Sequence, residues 1–191
     1  MARRGQLDDS SLRPGWTTGA CATAAATAAY EALLTGEFPD PVEIELPQGR
    51  RPSFALTLEH VTDGVAMAAV TKDAGDDPDV THGALVRAWV RPGPSGSGVR
   101  LLGGPGVGTV TLPGLPLPVG EPAINPAPRA MIRANLSAVA RRHGVPLDLE
   151  VTIGVDDGEA LARHTWNPRI GILAGISILG TTGVVVPYSC S

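Results

Sequence analysis

The sequence predicts an α+β protein: a mixed sheet with a few packed helices. Strand-like runs outnumber helical ones. They come in clusters instead of alternating one for one with helices, as a doubly wound sheet would require. Only two long stretches, 19–35 and 126–143, read as helices.

The elements follow in order. Residues 1–14 read as a flexible lead-in, and 15–191 as the domain. Residues 19–35 are Ala-rich and free of proline, which favours helix. Thr17 or Thr18 can cap it and Gly36 can stop it. VEIEL (42–46) and ALTLEHV (55–61) alternate like half-buried strands. VAMAAVT (65–71) is more continuously apolar and reads as a central strand. ALVRAWV (84–90), VRLLG (99–103) and TVTLPG (109–114) are further strands. In 126–143 Pro126 and Pro128 stand where a helix start tolerates proline. Met131, Ile132, Leu136, Val139 and Ala140 form its apolar face, and Gly144 ends it. LDLEVTI (147–153) reads as a strand, GEALARHT (158–165) as a short helix, and GISILGTTGVVVPYS as one or two buried strands.

Composition narrows the function classes. The chain has 191 residues, enough for a core without staples, and its 4% aromatic content leaves core building to Ala, Val, Leu and Ile. The net charge of −4, without a basic stripe, argues against nucleic acid as a partner. Cys21 and Cys190 lie far apart, with neither disulfide nor zinc spacing, which fits a reducing, cytoplasmic setting. Arg3-Arg4 precedes an apolar run, but Asp8, Asp9 and interspersed Thr and Gly spoil it as an export signal. No run of about 20 apolar residues could span a bilayer, so no membrane partner is expected. The apolar finish GVVVPYSCS suggests one domain of a longer protein.

Four stretches invite chemistry. KDAGDDPDVTHG (72–83) gathers Lys72, Asp73, Asp76, Asp77, Asp79 and His82. Aspartates close turns on themselves, so a solvated turn competes with a ligand-binding or catalytic loop and with a metal site. Its spacing is not that of an EF-hand. GGPGVGT (103–109) could be a tight turn, or a close backbone approach to a ligand whose amides bind an anion. It lacks the Gly-Lys-Ser/Thr of a phosphate loop and precedes a strand, not a helix. WTTGACAT (16–23) places Thr17, Thr18 and Gly19 at a helix start, as a cap or an anion contact. Cys21 would sit in the first turn, where a thiol pKa tends downward. Arg129 and Arg133, four apart, could hold carboxylates on one helix face, while Arg141-Arg142 complement the helix dipole.

Taken together, GWTTGACATAAATAA (15–29), VTKDAGDDPDVTHG (70–83), GGPGVGTVTLPGLPLPVGEPAINPAPRAMI (103–132) and WNPRIGILAGISILGTTGVVVPYSCS (166–191) resemble the CbiD family of cobalt-precorrin-5B C(1)-methyltransferases. Ala20 departs from the family's GxTTGTCA pattern, where threonine is expected. The resemblance implies a fold similar to the second domain of a small-subunit ribosomal protein and of GHMP kinases. It implies a longer natural protein, with a second α/β domain as the better seat for the methyl donor. The implied activity is methylation of carbon 1 of cobalt-precorrin-5B in anaerobic cobalamin biosynthesis, with S-adenosylmethionine as donor and cobalt carried by the substrate. No metal site of the protein's own is implied. The alternative is a non-catalytic tetrapyrrole-binding or assembly half. Under this reading Asp73, Asp76, Asp77 and His82 are the catalytic candidates. Thr17, Thr18, Gly19, Lys72, Arg129 and Arg133 contact the corrinoid. Gly103, Gly104, Gly106, Gly108, Thr181 and Thr182 serve the donor. A homodimer and contacts with other cobalamin-pathway enzymes are further expectations.

Overall fold

The computed structural model describes residues 12–188. Its centre is α1 (Thr18–Thr35), and every residue from Thr18 to Tyr30 is buried. A helix that is apolar or small all round has no face to give to water, so it must be wrapped. The seven alanines between Ala20 and Ala29 have no accessible surface. Thr23 and Thr27 tolerate this because their hydroxyls donate back to the carbonyls of Gly19 (2.8 Å) and Thr23 (2.7 Å).

The sheet supplies one side of the wrapping. Strands β4 (Leu58–Thr62), β5 (Val65–Thr71), β6 (Leu85–Pro92), β7 (Val99–Gly103) and β9 (Leu149–Val155) pair in the order β4-β5-β6-β9-β7. All neighbours are antiparallel except β7 and β9, which run parallel. Val86, Ala88 and Val90 alternate toward α1 along β6, as a half-buried strand should. Helix α2 (Pro126–His143) covers another side of α1. Glycines in the left-handed region, Gly36 and Gly144, end the two long helices.

Short ribbons complete the shell. β1 (Gly15–Trp16) pairs with β11 (Val184–Val185), and β2 (Val42–Glu43) with β3 (Ser53–Phe54). β8 (Thr109–Val110) pairs with β10 (Ile172–Leu173), which follows α3 (Gly158–Ala162) and a 3-10 turn over Asn167–Ile170. The α+β class holds, with a five-stranded mixed sheet, three short ribbons and few helices.

Several expected strands are shorter than read. The 42–46 run keeps hairpin contacts beyond β2, with amides of Ile44 and Leu46 donating to Pro52 and Arg50. Pro52 has no amide to return, so the ladder stops. The 55–61 run becomes strand only from Leu58, because the Leu56 amide donates to the Asp40 carboxylate instead of to a strand. The 109–114 run ends at Val110, ahead of Pro113, Pro116 and Pro118. The expected helix 158–165 stops at Ala162. Of the expected lead-in, residues 1–11 lie outside the described residues, and Arg13 is held by Asp73 and Asp76.

The glycine-rich stretch now has a packing reason. Gly106 has φ +75°, and an added Cβ would stand 2.0 Å from the Val155 carbonyl oxygen. Gly158 and Gly175 close on the same Gly106 backbone. Gly106→Ala should therefore lower stability by about 3 kcal/mol or more. Gly144→Ala, also left-handed but with open space around it, should cost about 1–2 kcal/mol. Urea unfolding of both variants checks the contrast.

Candidate functional site

The acidic loop 72–83 links β5 to β6 and lies against both ends of the described chain. Lys72 is the largest fully buried side chain, and its Nζ donates to Asp79 Oδ2 at 2.6 Å. Asp79 also accepts from the Thr81 amide (2.7 Å) and hydroxyl (2.6 Å). Burial opposes charge on Asp79, but these donors outweigh it and its pKa falls below the ordinary value. Asp73 takes both guanidinium arms of Arg13 (2.6 and 3.0 Å) and the Gly75 amide (2.9 Å). The Arg13 hydrogen bonds hold its pKa at about 2. Asp76 accepts from the Arg13 amide at 2.6 Å, and Asp77 from the Tyr188 amide at 3.0 Å. Each aspartate thus has a partner, and the loop clasps the 13–16 and 183–188 segments.

His82 is exposed on this clasp. Its Nδ1 accepts the Ala74 amide at 3.1 Å, so Nε2 is the ring nitrogen left facing outward. Asp73 Oδ1 lies 3.9 Å from Nδ1. The structure therefore brings Asp73, Asp76, Asp77 and His82 into one loop, with Asp77 turned to the chain's last described turn.

The other expected contacts sit differently. Thr17 is the N-cap of α1, its hydroxyl accepting the Ala20 amide at 3.1 Å. Thr18 is buried, and the Gly19 amide donates to the Leu179 carbonyl at 3.1 Å. A strap over 179–183 thus occupies the helix start that a rim anion was expected to use. Lys72 faces the interior, not a ligand surface. Arg129 is mostly buried and donates to the carbonyls of Ile124 and Pro122 and to Glu121. Only Arg133 of that pair is exposed, and among the described residues its side chain hydrogen-bonds to Val99 O at 3.5 Å. Cys21 reverses its expectation: burial pushes its thiol up to about 12, outweighing nearby Lys72, so it is no thiolate nucleophile. Cys190 lies outside the described residues. Thr182 turns on itself, its hydroxyl donating to Val184 O.

Two concavities stand out among the described residues. The first, about 540 Å³, opens beyond the carboxyl ends of parallel β7 and β9 and is lined by Pro105, Gly106, Asp157, Glu159, Ala160 and Arg163 among others. Of the four glycines assigned to the donor, only Gly106 lines it. Asp157 and Glu159 have no ion-pair or side-chain hydrogen-bond partner among the described residues. Neighbouring Asp156 is taken by Arg87, which lowers its pKa. The crevice outside parallel strand ends is where open α/β sheets bind ligands.

The second is a groove of about 480 Å³ between α2 and the 42–51 hairpin. Buried Asn135 builds it. Its carboxamide exchanges two hydrogen bonds with the Glu45 backbone (2.8 and 2.9 Å) and fixes the hairpin to the helix. Ala127, Ala130, Ala134 and Ala138 make a smooth floor, and Arg51, Arg141 and Thr181 lie along it. Arg51 pairs with Glu43 and Arg142 with Glu31, while Arg141 has no ion pair among the described residues. Arg51 was missed in the sequence, and Arg141 was read only as a complement to the helix dipole. The alanines at 127, 130, 134 and 138 repeat with helical spacing, and that was the available signal. No group of three or more His, Cys, Asp or Glu among the described residues is arranged to hold a metal.

Comparison with known proteins follows this geometry. The CbiD family profile matches residues 5–187. The chain belongs to the CbiD family. A cobalt-precorrin-5B C(1)-methyltransferase from Paramagnetospirillum magneticum is 62% identical over 184 residues, 96% of this chain and 52% of that protein. Proteins of the same name from Brucella anthropi (59%, covering 96% and 50%) and Agrobacterium fabrum (60%, covering 97% and 49%) are similar. The crystal structure of a cobalamin biosynthesis protein (cbiD) from Archaeoglobus fulgidus superposes with a TM-score of 0.72 at 33% identity, covering 93% of this chain and 56% of that one. The chain spans about half the length of the curated relatives it matches.

The clasp predicts an acid sensitivity. Asp73 and Asp79 bind protons less readily folded than unfolded, so the unfolded state takes up more protons as pH falls. Their contribution is present above the ordinary carboxylate pKa of 3.8 and is lost as pH falls below it, toward about 2 for Asp73. Asp73→Asn should flatten that limb of the stability curve. Asp79→Asn leaves the Lys72 charge buried and should cost about 3 kcal/mol at neutral pH. Lys72→Met should cost less. Chemical unfolding between pH 7 and 2.5 measures all three.

Proposed function

We propose that the full-length protein methylates carbon 1 of cobalt-precorrin-5B, with S-adenosylmethionine as donor. The observation that carries this is the 58–62% identity to relatives that bear the methyltransferase name. The donor brings an activated methyl group, so the protein's work is to hold donor and ring carbon in line.

This chain's residues fit parts of that work. The cleft beyond β7 and β9 has the volume of a small-molecule site. Its unpartnered Asp157 and Glu159 carboxylates can accept from a ribose diol or an ammonium, and Arg163 can take a carboxylate. The α2 groove offers a smooth apolar floor with arginines beside it, matching a flat macrocycle with acidic arms. In this reading Arg141 and Arg51 take the rim role expected of Arg129, and Thr181 joins the groove. On the clasp loop, His82 Nε2 faces outward and can manage a proton, with Asp73 and Asp76 ordering the loop around it. Buried free Cys21 fits a cytoplasmic setting. Among the described residues no helix is long and apolar enough to cross a membrane. The 103–108 glycines answer to chain packing.

A second reading has one observation in its favour. No residue lines both the cleft and the groove. This chain would then be the tetrapyrrole-holding half, and methyl transfer would need the other half of the family's length.

Calorimetric titration with S-adenosylhomocysteine separates the two. Binding near 1:1 that Asp157→Asn with Glu159→Gln abolishes supports a donor site here. No heat from folded protein supports the second reading. Corrinoid substrate followed by visible absorbance should bind in either case, and Arg141→Ala should weaken it about tenfold. Mass spectrometry for the gain of one methyl group by the corrinoid tests the activity itself.

A further inference from the structure

Residues 166–188 display more apolar surface than their share. Of the eleven large apolar side chains exposed among the described residues, six are Trp166, Ile170, Leu173, Leu179, Val186 and Tyr188. Trp166 is 71% exposed and Tyr188 67%. Leu112 extends the face, because its side chain lies against Gly171, where an added Cβ would meet it at 2.5 Å.

This is not a loose tail. The backbone beneath these side chains is fixed at short intervals. Arg169 and Ile170 amides donate to Trp166 O, and the Thr111 amide to Gly171 O at 2.7 Å. Ile176 and Ile178 amides donate to Gly106 and Ala123, with their own side chains buried. The Tyr188 amide is held by Asp77. The Arg169 guanidinium stacks 4.6 Å from the Trp166 ring centroid and holds the indole outward. Trp166, Ile170 and Leu173 follow one another closely along the chain with Leu112 against Gly171, and apolar side chains grouped on fixed backbone mark an interface.

The family's length identifies what covers it. The matched 184 residues make up 52% of the Paramagnetospirillum magneticum protein and 50% of the Brucella anthropi one. A body of equal size is therefore joined to this domain in those chains, and interfaces between such domains bury roughly 600–1,500 Å². We propose that the face formed by residues 166–188 and Leu112 is the seat of the polypeptide that makes up the unmatched half of the family's full-length chains. The acidic clasp serves this seat by fixing its far end through Asp77. The inference rests on family membership and not on the methyltransferase reading.

The test is a full-length chimera in which this chain replaces the matched residues of the Paramagnetospirillum magneticum relative. Trp166→Asp with Leu173→Asp is made in the chimera and in the 191-residue protein. The expected result is a fall in Tm of several degrees, or a split into two transitions, in the chimera alone. Limited proteolysis should then cut at the junction. No change in the chimera overturns the proposal. So does an equal fall in both proteins, which would give these residues to this domain's own fold. A chimera that does not fold means the face does not accept that half. A 191-residue protein that sediments as a dimer, and is made monomeric by the substitutions, gives the face to a second copy instead. Methyl transfer is read separately, by the mass gain of the corrinoid, so failure of one leaves the other standing.

Discussion

Helix α1 is the constraint on which the rest depends. It has no polar face from Thr18 to Tyr30, so the fold must surround it. The sheet covers it through β5 and β6, α2 covers a second side, and the 179–183 strap closes over its first turn. Alanine is what allows all three to approach. Larger side chains would hold the neighbours further off, and interiors pack too densely to absorb that. The strap takes the Gly19 amide and Thr17 the Ala20 amide, so two donors of the helix start are already used inside the chain.

Closing that shell brings the two ends of the domain together, and the acidic loop is how they are held. Lys72 is pulled inward against Asp79, Arg13 is gripped by Asp73 and Asp76, and Asp77 takes the Tyr188 amide. The same pairing resolves a conflict of charge. Four free aspartates would repel the many-armed carboxylate substrate proposed above. Aspartates matched by Lys72, Arg13 and backbone amides present far less negative field, and His82 is the clasp's outward-facing ring.

Local patterns were the readable part of the sequence. The bounds of 65–71, 99–103 and 126–143 agree with β5, β7 and α2, because alternation, proline placement and terminal glycines act over short range. Thr17, Gly36 and Gly144 were legible for the same reason. What was not legible depends on distant partners. Nothing near Lys72 in the sequence says that it points inward. Nothing near Gly106 says that Gly158 and Gly175 will press on it from fifty and seventy residues away. Arg129 and Arg133 look alike on a helical wheel, yet one faces the 121–124 turn and the other solvent. The groove was partly legible through its alanine spacing, but its second wall is the 42–51 hairpin, tied to the helix by Asn135.

The separation of cleft and groove bears on how the family divides its labour. Methyl transfer requires donor and acceptor at near contact, and effective molarity collapses when they are held apart. The cleft lies beyond the carboxyl ends of β7 and β9, while the groove lies along α2. The two share no lining residue, so this domain by itself does not assemble a transfer site that uses both. An apolar face on rigid backbone, on a chain half the length of its relatives, supplies the missing term. Docking a second domain there would build a new wall beside the strap and the clasp, where His82 already faces outward. Under the proposed methyl transfer, that places the reacting centre at the seam between halves, with this chain fixing one side of it.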